Sequence, residues 1–133
     1  MKFMLDTNMC VFVLRGKPLS VTTRLQQCAD REACVSTITV AELRFGADKS
    51  RQPEASHDKV SKFLMSIDVV DFDSGAADAY GIIRADLERR GQPIGDLDML
   101  LAAHALNEGL NFVTHNTSEF QRVNGLQLED WFA

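Results

Sequence analysis

The stretch Phe3-Met4-Leu5-Asp6-Thr7-Asn8 decides the fold. Its apolar run is too short for a helix and meets an acidic side chain at once. That pattern predicts a buried strand over residues 2–6 with Asp6 at its carboxyl end. Helical spacing follows over 8–14 and stops at Gly16 and Pro18. In parallel α/β folds, ligands gather outside the carboxyl ends of strands, so the position of this acid matters.

The alternation continues outward from there. A second helix is predicted over 21–29, a strand over 33–36, and a helix opening at Thr39 with Val40, Leu43 and Ala47 on one face. The polar stretch 48–57 predicts a loop into a helix over 54–65, which carries Val60, Phe63 and Leu64. A strand over 67–71 and a helix over 74–90 come next, the latter ending at Gly91, a residue suited to a left-handed cap. After a turn at 92–95, an apolar helix over 97–107 closes at Gly109. A strand over 110–114, a helical turn at Glu119 and Phe120, and an edge strand over 126–128 complete the chain. Met4, Met9, Met65 and Met99 read as core fillers. Strands separated by helices predict an α/β fold, with a parallel sheet of four to five strands flanked by helices.

Composition narrows the class. At 133 residues, 45% hydrophobic and 25% charged, the chain fits one globular domain. Cys10, Cys28 and Cys34 form no C-x-x-C pair, which points to reduced thiols rather than disulfides or a zinc site. No stretch reaches the roughly 18–20 apolar residues of a membrane span. The first residues are too short an apolar run for a signal peptide, so a cytoplasmic protein is expected. The net charge of −5 lacks the basic footprint of a general nucleic-acid binder. A nuclease stays open, because bound metal would neutralise acids at a site.

Four positions at strand ends or helix starts carry the candidate chemistry: Asp6, Glu42, Asp98 and Asn116. Each also has a structural reading. Asp6 can cap the next helix, although Asn8 can take that role and leave it free. Thr39-x-x-Glu42 is a capping-box pattern. Asp98 can stabilise a helix dipole, but Asp96 is the better cap, and a charge beside Met99-Leu100-Leu101-Ala102-Ala103 needs a partner or a metal. Asn116 caps a short helix or holds a metal-bound water, with Thr114 as a supporting hydroxyl, while Glu119 completes a second capping pattern. His104 reads as a packed core histidine on a different helix face from Asp98. His115, nearer the site, stays open.

Carboxylate, water and phosphate oxygens suit Mg²⁺ or Mn²⁺, which favour six oxygen ligands. Such a centre serves in-line displacement at a phosphodiester. The chain has neither a GxxxxGK phosphate loop nor a G-x-S-x-G elbow. A haloacid-dehalogenase-type phosphatase needs a second Asp where Asn8 stands. Arg15, Lys17, Arg44, Lys49 and Arg51 are candidates for RNA phosphate contacts, or plain surface charges.

Taken in order, Met4-Leu5-Asp6-Thr7-Asn8, the block from Ser36 to Ala47, the block Gly91-Gln92-Pro93-Ile94-Gly95-Asp96-Leu97-Asp98 running into Ala102-Ala103-His104-Ala105, and Val113-Thr114-His115-Asn116 through Trp131 resemble the PIN-domain ribonucleases. They are most similar to VapC-type toxins of bacterial toxin–antitoxin pairs. The resemblance implies a three-layer PIN fold, Mg²⁺-dependent endoribonuclease activity (Mn²⁺ substituting), and Asp6, Glu42 and Asp98 as the metal-binding acidic triad. Asn116 falls where many members carry Asp. Similarity to the enterobacterial branch implies initiator tRNA, cut in its anticodon loop, as substrate. It also implies a homodimer and a VapB-like antitoxin. A rival expectation is a catalytically weak PIN-like module that binds RNA or protein.

Overall fold

The computed structural model describes residues 1–132. Among these, β1 (Phe3–Leu5), β2 (Ala33–Ser36), β3 (Asp68–Val70), β4 (Asn111–Val113) and β5 (Leu128–Glu129) form one sheet in the order β3-β2-β1-β4-β5. Every pairing is parallel, with Phe3 opposite both Ala33 and Asn111. The expected parallel α/β architecture is present, with five strands.

Strand β1 lies in the middle because it can be buried on both sides. Phe3 and Leu5 pack on one face with Met9, Val21, Val35, Leu43, Val113 and Trp131. Met4 points the other way, into Ile83, Leu87, Leu101, Phe112 and Phe120. Alternate side chains of a strand take opposite faces, so a three-residue strand serves two cores. Each fully buried Phe, Leu or Met contributes about 1.5–3 kcal/mol.

The helices that cover the first face are α1 (Thr7–Arg15), α2 (Leu19–Gln26), α3 (Thr37–Asp48) and α4 (Pro53–Met65). On the second lie α5 (Ser74–Arg89) and α6 (Asp96–Glu108), and α7 (Thr117–Phe120) is one turn before β5. Helix α6 is buried along most of its length, from Met99 to Ala105, where Ala102, Ala103 and Ala105 allow close packing. Gly109 stops it at φ 70°, a left-handed position that glycine adopts without strain.

Several local expectations change. Helix α1 starts at Thr7, not Asn8, and Asp6 itself is its cap, accepting the Met9 N–H. Helix α3 starts at Thr37 with Ser36 as cap, so Thr39 sits inside the helix and the Thr39–Glu42 capping box does not exist. Gly95, not Asp96, occupies the cap position of α6. Met65 is 88% exposed and fills no core. The three cysteines are free thiols, as composition implied.

Candidate active site

The chain leaves β1 for one side of the sheet and returns through β4 on the other. Their carboxyl ends therefore border the crevice where α/β folds bind ligands. Asp6 stands at the end of β1 and Thr114 at the end of β4, and β1–β4 pairing brings them together. The Thr114 hydroxyl donates to Asp6 Oδ2 at 2.6 Å, and the Met9 N–H donates to Oδ1 at 2.8 Å. Asp6 thus caps α1 through one oxygen and holds Thr114 through the other. Burial raises its pKa, as do the charges of Glu42 and Asp130, while the bonds from Thr114 and Met9 oppose the rise.

Glu42 arrives from the second turn of α3. With no cap to make, its Oε1 accepts the Thr7 hydroxyl at 2.5 Å, and Thr7 also meets the Thr39 hydroxyl at 3.1 Å. Asp98 projects from the first turn of α6, where dipole and acid attract. Burial pushes its pKa up to about 6, helped by the charge of Glu119 and a hydrogen bond shared with it, then by Asp6 and Glu42. Asp6, Glu42, Asp98 and Glu119 thus lie within electrostatic reach of one another.

Glu119 is the residue that the sequence pattern misassigned. One carboxylate oxygen accepts the Gly95 N–H at 3.1 Å, and the other accepts the Asn116 amide. Glu119 therefore caps across the crevice onto α6 and joins the acid group through Asp98. Asn116 caps nothing with its side chain. Its N–H donates to the Thr114 hydroxyl at 3.0 Å and its amide holds Glu119, which makes it a support. Asn8 is exposed and takes no part in capping.

His104 is buried, with Nδ1 against Ser36 Oγ at 2.8 Å and its ring edge-on to Phe72. Burial lowers its pKa and keeps it neutral. It belongs to the core.

Among the described residues, no group of three or more His, Cys, Asp or Glu side chains closes on a point where one metal would sit. The donor set nonetheless suits a hard cation. Mg²⁺ typically takes one or two carboxylates and keeps several waters for substrate phosphates to replace. Burial first and neighbouring acids second hold the Asp98 carboxyl at about 6, and a cation beside it would favour the ionised form.

The profile of the PIN domain family matches residues 3–126. The chain belongs to the PIN-domain family. Over 131 residues, 98% of each protein, it is 47% identical to the tRNA(fMet)-specific endonuclease VapC of Shigella flexneri. It is 42% identical to ribonuclease VapC2 of Haemophilus influenzae strain Rd, over the same share of both. The DNA-bound VapBC of Salmonella typhimurium superposes with a TM-score of 0.94 at 44% identity, covering 98% of both chains. VapBC2 of Rickettsia felis, bound to a promoter fragment, gives 0.93 at 36% identity, with 98% and 99% covered. These relatives place the chain among the VapC ribonucleases. PIN-domain nucleases in general use divalent metal ions.

Beside the acids of this PIN domain runs a groove of about 730 Å³ between α1, α3 and α4. Thr7 and Glu42 line it together with Arg15, Lys17, Lys49 and Lys59. Three of the five expected phosphate-contacting side chains meet there, and Lys59 is an addition. Arg51 is exposed but is not part of this lining. Arg44 is committed elsewhere: it donates to the His57 carbonyl at 3.2 Å and to Ser61 Oγ at 3.0 Å, tying α3 to α4. No helix among the described residues is long and apolar enough to cross a membrane.

Proposed function

We propose that this chain is a Mg²⁺-dependent endoribonuclease toxin that cuts the anticodon loop of initiator tRNA and so stops translation. The observation that carries it is that Asp6 at the end of β1, Glu42 of α3 and Asp98 of α6 lie within electrostatic reach of one another, with Asp6 and Glu42 held by hydroxyl and backbone donors. The tRNA(fMet) specificity named for the Shigella relative supports the substrate.

Asp6, Glu42 and Asp98 are the residues that would hold the cation. Held there, a divalent cation would supply positive charge to offset that of the phosphodiester and to lower the pKa of a water. Thr114 and the Met9 N–H fix both oxygens of Asp6, so that its orientation survives the repulsion of its neighbours. Thr7 does the same for Glu42. Burial raises the Asp98 pKa, as do the charge of Glu119 and a hydrogen bond shared with it, and positive charge beside Asp98 would favour its ionised form. Arg15, Lys17, Lys49 and Lys59 guide the RNA backbone toward the acids through their groove.

The partner is a VapB-like antitoxin, supported by the VapBC complexes of Salmonella and Rickettsia. The toxin is a single-domain, cytoplasmic homodimer. Glu119 supplies a further acid beside Asn116, which weighs against a catalytically weak binding module. Expression of the chain, with and without Asp6→Asn, followed by sequencing of tRNA ends from arrested cells, tests the proposal. Cleavage ends in the anticodon loop are expected for wild type alone, lost in EDTA in vitro and restored by Mg²⁺ or Mn²⁺. Equal arrest by both proteins without cut RNA would overturn it.

A further inference from the structure

The aromatic rings beside the acid cluster have no task in this hydrolysis. His115 follows Thr114, which holds Asp6, and precedes Asn116. Its imidazole stacks on Phe132, with centroids 4.1 Å apart and 27° between planes. Phe132 packs in turn on Phe12 at 5.1 Å, and Phe12 meets His115 edge-on at 6.4 Å.

One carboxylate sets this stack. Asp130 Oδ2 accepts from His115 Nδ1 at 3.0 Å, and Oδ1 accepts the Phe132 N–H at 2.8 Å. Both oxygens of Asp130 are thus engaged, one against the imidazole and one on the backbone N–H of Phe132. His115 directly follows Thr114, whose hydroxyl donates to Asp6, so the stack lies beside the proposed reaction centre. Yet the rings are left open: the His115 side chain is 50% exposed and Phe132 38%.

We propose that His115 and Phe132 form a stacking platform for an unpaired RNA base beside the phosphodiester that the acid cluster cuts. The proposal deepens the ribonuclease function and rests on it. An acidic site in a chain of net charge −5 holds RNA weakly by charge alone. Stacking on aromatic rings adds affinity without regard to charge, and unpaired loop bases are the ones free to stack. A base seated on the platform holds the RNA beside the acids to the same extent in the ground and transition states, so it adds binding. The rings are preorganised by Asp130, so little is lost in ordering them.

The probe is an anticodon stem-loop RNA of initiator tRNA sequence with 2-aminopurine placed singly along its loop. Wild type should quench the fluorescence at one position, and His115→Ala and Phe132→Ala should abolish that quenching. KM should rise about 5- to 150-fold in each alanine variant, the range that loss of one stacked base predicts. Because the stack serves ground and transition states alike, kcat should hold nearly constant. His115→Phe should restore both quenching and KM, which a purely structural role for the imidazole would not predict. Wild type that cleaves the RNA while His115→Ala leaves quenching and KM unchanged overturns the platform alone. So does His115→Phe behaving like the alanine variant, or His115→Ala weakening capture of VapB with RNA binding intact. Wild type that cleaves no RNA overturns the ribonuclease function and the platform together.

Discussion

Replacing Asp98 by asparagine is expected to stabilise the metal-free protein at neutral pH. Asp98 titrates at about 6 in the fold against an ordinary 3.8. Each pH unit between two such values corresponds to about 1.36 kcal/mol, so ionisation of Asp98 opposes folding by at most about 3 kcal/mol. The side chain is only half-buried and water screens part of that, which leaves about 1–2 kcal/mol. For a chain of this size the gain corresponds to a Tm roughly 3–8 °C higher.

The sign fixes the pH window. A folded pKa above the unfolded one gives stability that is complete below about pH 4 and lost as pH rises through 6. Wild type should therefore lose stability over that range relative to Asp98→Asn, and the two melting curves should coincide at acid pH. Thermal melts from pH 4 to 8 in EDTA measure this. Mg²⁺ should then raise the Tm of wild type at pH 7.5 and leave Asp98→Asn unmoved, because only the former gains by binding it. An asparagine variant no more stable than wild type at pH 7.5, or a difference that does not vary with pH, would refute the reasoning.

Gly95→Ala places a Cβ 3.2 Å from Asp98 Oδ2 at a backbone conformation (φ −59°) that alanine accepts. RNA cleavage should fall about tenfold or more through displacement of that carboxylate, with an unchanged Tm; full activity would show that Asp98 tolerates movement. Lys59→Ala should weaken RNA binding at low salt and reduce the slope of log affinity against log salt by roughly 0.7 for each phosphate that the lysine neutralises. An unchanged slope would place the RNA elsewhere than the groove. Burial pushes the Cys34 thiol up to about 12 and the Cys10 thiol well above the usual range. Ellman's reagent at pH 8 should therefore reach Cys28 alone in the native protein and all three thiols in guanidinium. Rapid reaction of all three in the native state would contradict the two cores.

The central strands were legible as short apolar runs buried on both faces, and the helices because burial repeats about every 3.6 residues. Boundaries were less so where one residue has two competing uses. Thr39-x-x-Glu42 is a sound capping box by spacing, yet Ser36 lies three residues earlier and caps α3 first. Asp98 was placed correctly at the start of α6, although its supposed capping neighbour Asp96 is simply the first helical residue. Met65 comes two residues after Phe63, about 200° further round α4, and so points away from the face that Val60 and Phe63 bury.

By itself, the sequence determined the order of strands and helices, the acids at their junctions and the family to which those blocks belong. All of these are written in neighbouring residues. Only the tertiary structure decided who holds whom. Thr114 reaches Asp6 across 108 positions because β4 pairs with β1, and Thr7 reaches Glu42 across 35 because α1 packs beside α3. Glu119 moved from local cap to partner of Asp98 for the same reason. A carboxylate's partner is set by which elements pack together, and no local periodicity encodes that.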